Sequence, residues 1–469
     1  MSSKPTIPSG TRDFGPDKMV RRHFIFDTIK PVFEKFAFMP IETPAMENLK
    51  VLTGKYGDEG DQLLFKVLNS GNYLNKSKPI PEHSNLYTLD IQRLDGPDKS
   101  ILNTLTSSIS DKGLRYDLTV PFARFVVMNQ NDIQFPFKRY QIQPVWRADR
   151  PQHGRYREFY QCDADVVGTE SLICEAEIIL MMTEVFKNLG IVDYDIKINN
   201  RKILSGIAEA IGAKDQETDV FVAIDKLDKI GIEKVLEELD QRGIEKSAQE
   251  KLKAILSLSG TNVEKIVKIK SIIDSETGQH GIKELEEVFD ILSNFGDVPT
   301  QIDFDITLAR GLSYYTGAIF EVKANNTTIG SISGGGRYDN LTGTFGLQGV
   351  SGVGFSFGVD RIYDVMEELD LFGELKQSTT KVMLTNFDED CTSKGLAILT
   401  KLRSEGINAE MYPKSAKMKK QMNYADKKGH PYVLFLGPEE FSNNLFKLKN
   451  MESGEQKEVS IEQAIDIMK

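Results

Sequence analysis

Two runs of alternating residues, joined by a charged loop, constrain this chain more than any other part of it: FKRYQIQPVWRADRPQHGRYREFYQCDADVVG, from Phe137 to Gly168. Successive side chains of a strand point to opposite faces. The first run therefore sets Gln141, Gln143, Val145 and Arg147 on one face and Tyr140, Ile142 and Trp146 on the other. The second sets Arg157, Phe159, Gln161, Asp163 and Asp165 against Tyr160, Cys162, Ala164 and Val166. The pattern predicts a hairpin with one polar, concave face and one packed face. Its loop holds Arg150, His153, Gly154 and Arg155, and the stretch carries six Lys or Arg before Glu158 against one acid, Asp149. That balance suits a polyphosphate. Taken alone, the pattern equally describes a solvated amphipathic hairpin.

A second constraint is GVSGVGFSFGVDRIYDVM, in which Gly352, Gly354, Ser356 and Gly358 alternate with Val353, Phe355 and Phe357 before a helix opens at Asp360 and Arg361. A bare strand face costs entropy and packing, so something flat is expected against it, an aromatic base being the natural candidate, with Arg361 stacked on the base or holding a phosphate. A barrel-corner strand is the alternative. Between the two lies LARGLSYYTG, with Arg310, Tyr314, Tyr315 and Gly317 close together, followed by glycines 330, 334, 335 and 336. Upstream, LRYDLTVPFARF reads as a strand with Arg115, Asp117 and Thr119 on one face, a carboxylate and a hydroxyl able to orient an ammonium group.

The rest of the chain frames these motifs. Ile25, Ile29, Val32, Phe33 and Phe36 follow helical spacing, with a kink expected at Pro31. In FAFMPIETP, Ile41 to Thr43 read as a short strand ended by Pro44. Residues 63–74 read as a strand pair, and Lys76 to Lys112, rich in Ser, Asn, Asp, Pro and Gly, as a surface excursion. Thr169 is expected to cap a helix running to Gly190. From 205 to 297, Ile224, Leu227, Ile230, Val235, Leu236 and Leu239 recur at three or four among many Glu and Lys, the pattern of a helical insertion. KVMLT, a helix with Leu396, Leu399 and Leu402, INAEMY, a helix over Ala416 to Lys428, and YVLFLG then alternate as a separate small α/β domain. Its lysines at 414, 417, 419, 420, 427 and 428 read as an RNA-contact surface or simply a solvated face.

A length of 469 residues fits two or three domains, and a net charge of −11 confines any nucleic-acid contact to local basic patches. Three scattered cysteines, Cys162, Cys174 and Cys391, predict reduced thiols and no structural metal. No apolar run is long enough to span a bilayer, and the N-terminal MSSKPTIPSG has neither a signal core nor an Arg-rich presequence, so a cytoplasmic protein is expected.

FAFMPIETP, VWRAD with GRYREF, and GVGFSFGVDRI resemble the three class motifs of class II aminoacyl-tRNA synthetases, and LARGLSYYTG with SGGGRYD resembles the signatures of the histidyl-tRNA synthetases. The resemblance covers nearly the whole chain. It implies an α+β fold: an antiparallel sheet core with flanking helices (1–204 and 298–375), a helical insertion (205–297) and a C-terminal α/β anticodon-binding domain (378–469). It implies a homodimer that joins L-histidine to tRNA(His) using ATP and Mg²⁺. By the same resemblance Arg147 and Arg310 would grip the α-phosphate and the substrate carboxylate, Arg155 and Arg361 the outer phosphates, and Phe159 with Arg361 the adenine, with Asp149 also at the ATP site. Asp117, Thr119 and Gln161 would orient the α-ammonium, Asp165 and Tyr315 would hold the imidazole nitrogens, and Tyr314 would join the histidine site. Gln152 and His153 are candidates for acceptor-end contacts.

Several positions depart from the family pattern: Asp149, Asp117 and Asp165 stand where Glu is common, and Ala37 where Gly is common. Non-enzymatic relatives of such synthetases lack the C-terminal domain or lose the arginine set, whereas Arg147, Arg155, Arg310, Arg361 and residues 378–469 are present here.

Overall fold

The computed structural model describes residues 4–71, 109–296, 301–309, 314–373 and 379–469. Nearly all of the 76–112 excursion, and Arg310, lie outside the described residues. The chain divides into two compact units, Met1–Arg12 with Ile25–Leu371, and Asp13–Phe24 with Phe372–Lys469.

The first unit contains β1 (Met39–Pro40), β2 (Met46–Asn48), β3 (Lys66–Val67), β4 (Lys112–Leu114), β5 (Phe137–Trp146), β6 (Glu158–Val167), β7 (Tyr194–Asn200), β8 (Ile302–Phe304), β9 (Ala318–Ala324), β10 (Ser333–Tyr338) and β11 (Gly352–Gly358). Eight of these form one sheet in the order β1-β5-β6-β11-β10-β9-β7-β8, antiparallel except for the two edge pairs β1–β5 and β7–β8. β2, β4 and β3 form a small separate sheet.

The register of the long hairpin follows its alternation. Arg139 lies opposite Asp165, Gln141 opposite Asp163 and Gln143 opposite Gln161, so the polar side chains of both strands share one face. The other face carries Tyr140, Cys162, Ala164 and Val166, all buried. It is covered by helix Pro16–Lys35 through Ile25, Ile29, Val32 and Phe33, and by helix Ile173–Asn188. The Phe33 ring lies 5.6 Å from that of Tyr140 and 6.1 Å from that of Phe357, and the Phe186 ring meets Phe357 edge-on at 5.4 Å. Each such fully buried side chain contributes about 1.5–3 kcal/mol.

Local expectations differ from the structure where a side chain found a distant partner. Helix Pro16–Lys35 passes through Pro31 without ending. The first strand stops at Pro40, because the Thr43 carbonyl turns to the Arg115 guanidinium (2.6 Å) and the Thr43 hydroxyl to Gln141 (2.8 Å). Between 63 and 71 only Lys66–Val67 is a strand. The helix after the hairpin begins at Ile173 rather than at Thr169, whose hydroxyl accepts from the Ser171 N–H (3.1 Å) in a local turn. Helices then run from Arg201–Ala210 to Glu276–Asn294, burying Ile224, Val235 and Leu239.

The C-terminal unit contains β12 (Val382–Leu384), β13 (Ala409–Met411), β14 (Tyr432–Leu434), β15 (Phe446–Asn450) and β16 (Gln456–Val459), in the order β13-β12-β14-β15-β16. The first three are parallel, with helices Glu389–Ser404 and Met418–Lys427 as crossovers. Leu399 and Leu402 join its core, but Leu396 is exposed; the stripe passes instead through Gly395, where a side chain would collide with Met411 and Leu436. Among the described residues no helix is long and apolar enough to cross a membrane.

Candidate active site

An open cavity lies on the polar face of β6, β10 and β11. Of the residues singled out above, Asp117, Thr119, Arg147, Asp149, Arg155, Phe159, Gln161, Asp165, Tyr314, Tyr315 and Arg361 all line it. Arg310 lies outside the described residues, and the exposed Gln152 and His153 are not in its wall.

The acidic end is built from three elements. β4 stops at Leu114, so Asp117 is on no strand, and Thr119 opens helix Thr119–Met128, with Pro121 in the first turn, where its missing N–H costs nothing. The Asp117 carboxylate accepts from the Val120 N–H (3.1 Å), the Tyr56 hydroxyl (3.0 Å) and the Tyr314 hydroxyl (3.1 Å). Burial raises its pKa, and these bonds together with Arg147 oppose the rise. Asp165 accepts from the Tyr338 hydroxyl (2.7 Å) and pairs with Arg139 (2.8 Å), a guanidinium with no exposed surface. Asp163, between Gln161 and Asp165, is only 2% exposed; burial pushes its carboxyl up to about 7, Arg139 opposing and Asp165 adding to the rise. Tyr315 meets Tyr314 edge-on at 4.9 Å, and its phenol is pushed well up by burial and by Asp165, Asp117 and Asp163.

The basic end belongs to the hairpin loop. Gln152 and Arg155 exchange backbone hydrogen bonds (3.1 and 2.9 Å) around Gly154, whose φ of +70° favours glycine. Arg147 donates to the Tyr116 carbonyl (3.1 Å), its guanidinium 4.2 Å from the Tyr116 ring and 5.2 Å from the Phe159 ring. Arg155 stands 3.6 Å from Asp149. Arg361 donates to the Gly154 carbonyl (2.8 Å) and the Ser331 carbonyl (2.7 Å), tying the loop to the strand side of the cavity. Arg157 does not line the cavity: it donates to the Asp149 carbonyl (2.9 Å) and packs on Gly10.

The bare face of β11 is bare for two reasons. A side chain at Gly352 would strike the Tyr338 ring, and one at Gly354 the Asp165 carboxylate. Those glycines make room for the protein's own side chains. Gly358 is less crowded: a side chain there would meet the Ile332 carbonyl at 3.6 Å and Arg361 at 3.9 Å, which are ordinary contacts. Ser356 accepts from Gln161 (2.8 Å) and hydrogen-bonds Asp163.

Sequence reasoning did not assign roles to Asp163, Arg139, Tyr56 and Tyr338. Period-two alternation with Gln161 and Asp165 contains the signal for Asp163. Arg12 also went unnoticed: it pairs with Asp360 and lies 3.2 Å over the Tyr156 ring, while Asp360 accepts from the Tyr160 N–H (2.8 Å). No local pattern announces a contact between residues 12 and 360.

Sheet, arginine-lined loop and glycine strand are those of a class II aminoacyl-tRNA synthetase. A family model described as Histidyl-tRNA synthetase matches residues 103–362, and one described as Anticodon binding domain matches 381–469. A histidine–tRNA ligase of Cytophaga hutchinsonii is 56% identical over 463 residues, 98% of this chain and 99% of that relative. One of Phocaeicola vulgatus is 53% identical over the whole of both chains. The crystal structure of histidyl-tRNA synthetase from Nostoc sp. PCC 7120 superposes with a TM-score of 0.80 at 30% identity, covering 99% of each chain. The chain belongs to the histidyl-tRNA synthetase family, the histidine–tRNA ligases.

Proposed function

We propose that this cavity activates L-histidine with ATP and that the activated histidine then passes to the 3′ end of tRNA(His). In the first step a histidine carboxylate oxygen bonds to the α-phosphorus, the bond to the β-phosphate bridge breaks, and pyrophosphate leaves. In the second a ribose hydroxyl of the terminal adenosine attacks the histidyl carbonyl, gives up its proton, and AMP leaves. The substrate carboxylate is already an anion, so no protein nucleophile is required. The protein supplies position and positive charge.

The observation that carries this reading is the pairing of the two signature tyrosines with buried acids: Tyr314 with Asp117 and Tyr338 with Asp165. They fix two carboxylates opposite the arginines of the hairpin loop. Arg147 and Arg310 grip the α-phosphate and the substrate carboxylate, Arg155 and Arg361 the outer phosphates, and Asp149 belongs to the ATP site. Phe159 and Arg361 hold adenine beside Gly358, the glycine of β11 where an added side chain would make only ordinary contacts. Asp117, Thr119 and Gln161 orient the α-ammonium, and Asp165 and Tyr315 hold the ring nitrogens. Polar groups committed to both ring nitrogens are left unpaired by an apolar competitor, a rejection of about ten-thousand-fold in comparable sites.

Among the described residues no group of three or more His, Cys, Asp or Glu could hold a metal by itself. Magnesium enters with ATP, as part of the substrate. The chain acts as a cytoplasmic homodimer, with the C-terminal unit contacting tRNA.

The test is histidine-dependent exchange of pyrophosphate into ATP, with the other amino acids as controls and Arg310→Ala as the inactive comparator. Exchange with histidine alone, lost in the variant, supports the reading. Silence with histidine from folded protein that binds tRNA overturns it.

A further inference from the structure

The acidic end of the cavity holds more acceptors than the reading above uses. Two carboxylate oxygens, Asp163 Oδ1 and Asp165 Oδ2, are buried and have no hydrogen-bond partner among the described residues. They belong to residues two apart on one strand, hence on one face, and both residues line the cavity. Asp165 Oδ2 has a charge contact with Arg139 at 2.8 Å, and its Oδ1 is taken by Tyr338. Among the described residues Asp163 has no such counter-ion of its own: Gln141 lies opposite it on β5, Ser356 beside it on β11, and Asp165, Asp117 and Tyr315 surround it. Arg139 is the cation these acids share.

Buried acceptors in a binding site call for donors on the ligand, since a carboxylate oxygen left without one pays its full desolvation cost. A neutral imidazole offers one N–H, and an imidazolium offers two. We propose that the pocket takes histidine with its ring protonated, Asp165 Oδ2 and Asp163 Oδ1 each accepting one ring N–H, and that Asp163 is the specificity-determining residue that imposes this form. Asp163 thus joins Tyr315 at the second nitrogen. The raised carboxyl of Asp163 fits the same picture: burial and the neighbouring Asp165 disfavour its charge, and a cationic ring beside both acids would offset that.

The inference rests on the histidine-activating reading, so its test begins where that one ends. Pyrophosphate exchange is measured for wild type and Asp163→Asn with histidine and with 1,2,4-triazolylalanine, a ring of the same shape that carries no extra proton near neutrality. Wild type is expected to favour histidine strongly. Asp163→Asn is expected to raise the KM for histidine and to narrow the histidine-to-triazole preference by about tenfold or more, the range for losing one hydrogen bond to a charged group. ATP binding by direct titration reports whether the variant's site is intact. An unchanged KM and preference in the variant overturn the proposal while leaving histidine activation standing; no exchange with histidine in wild type removes the underlying reading instead. Calorimetry of histidine binding to wild type at pH 8.5, in buffers of different ionisation enthalpy, needs no variant: uptake of about one proton is expected, because the free ring, with a pKa near 6.5, is neutral there. Zero uptake overturns the proposal.

Discussion

Arg337 on β10 and Arg139 on β5 are both buried guanidinium groups of the same sheet, and their surroundings differ in completeness. Arg337 forms a fork with Glu175, Nε to Oε1 at 2.5 Å and Nη2 to Oε2 at 2.7 Å. It also donates to Ser351 Oγ (2.6 Å) and to the Thr169 and Ser171 carbonyls (3.1 and 3.3 Å). Arg139 has its contact with Asp165, a long bond to the Leu118 carbonyl (3.4 Å) and the Phe122 ring 4.3 Å away, while Nε and Nη1 find no partner among the described residues. One region is saturated and serves the fold. The other keeps unmatched polar atoms beside a cavity, as a site that must receive a polar ligand does.

Breaking the saturated pair has the largest expected effect. Glu175→Ala leaves Arg337 charged, buried and without its carboxylate, and is expected to cost about 3–5 kcal/mol of stability, read as a lower denaturant midpoint. A loss below about 1 kcal/mol would erase the distinction between the two regions. Arg147→Ala addresses the cavity instead: a loss of about 2.7–4 kcal/mol of transition-state stabilisation is expected, a hundred- to thousandfold drop in exchange rate, with little change in melting temperature. If the variant melts early and its folded fraction remains active, Arg147 belongs with the structural set.

A third experiment compares the pH dependence of stability. The Asp163 carboxyl is raised in the folded protein, so the native state binds a proton that the unfolded chain releases. Its stabilising effect is fully present below about pH 3.9 and is lost as pH rises through about 7. The groups facing it are Arg139, Asp165, Asp117, Tyr315 and Ser356. Wild type should therefore lose stability relative to Asp163→Asn across that window, by up to about 4 kcal/mol. Parallel curves for the two proteins would contradict it. The smallest effect is expected in the C-terminal unit: Lys419→Ala with Lys420→Ala, two exposed lysines there, should flatten the salt dependence of tRNA binding by about 0.7–0.9 in slope per charge and leave pyrophosphate exchange unchanged.

Much of the site was legible because it is written in short periods. Alternation placed Phe159, Gln161, Asp163 and Asp165 on one face, and small residues at every second position from Gly352 to Gly358 marked β11 and the helix after it. Readings went astray where period carried no information. Arg115, Asp117 and Thr119 alternate as a strand would, yet Asp117 lies just before a helix start, held there by Val120, Tyr56 and Tyr314, which all donate to it. The glycines at 352 and 354 looked like space for a ligand, and the space is filled by Tyr338 and Asp165.

By itself, then, the sequence determined the long hairpin and the glycine strand with their faces, the α/β C-terminal unit and the set of polar residues gathered at one cavity, since these depend on spacing along a regular backbone. Only the tertiary structure decided which acid each arginine and tyrosine meets: Arg337 with Glu175, Arg139 with Asp165, Arg12 with Asp360 and Tyr338 with Asp165. Those partners lie between 26 and 348 residues apart. Over such separations no period operates, and the choice falls to burial, which makes an unpaired charge too costly to leave where the backbone alone would put it.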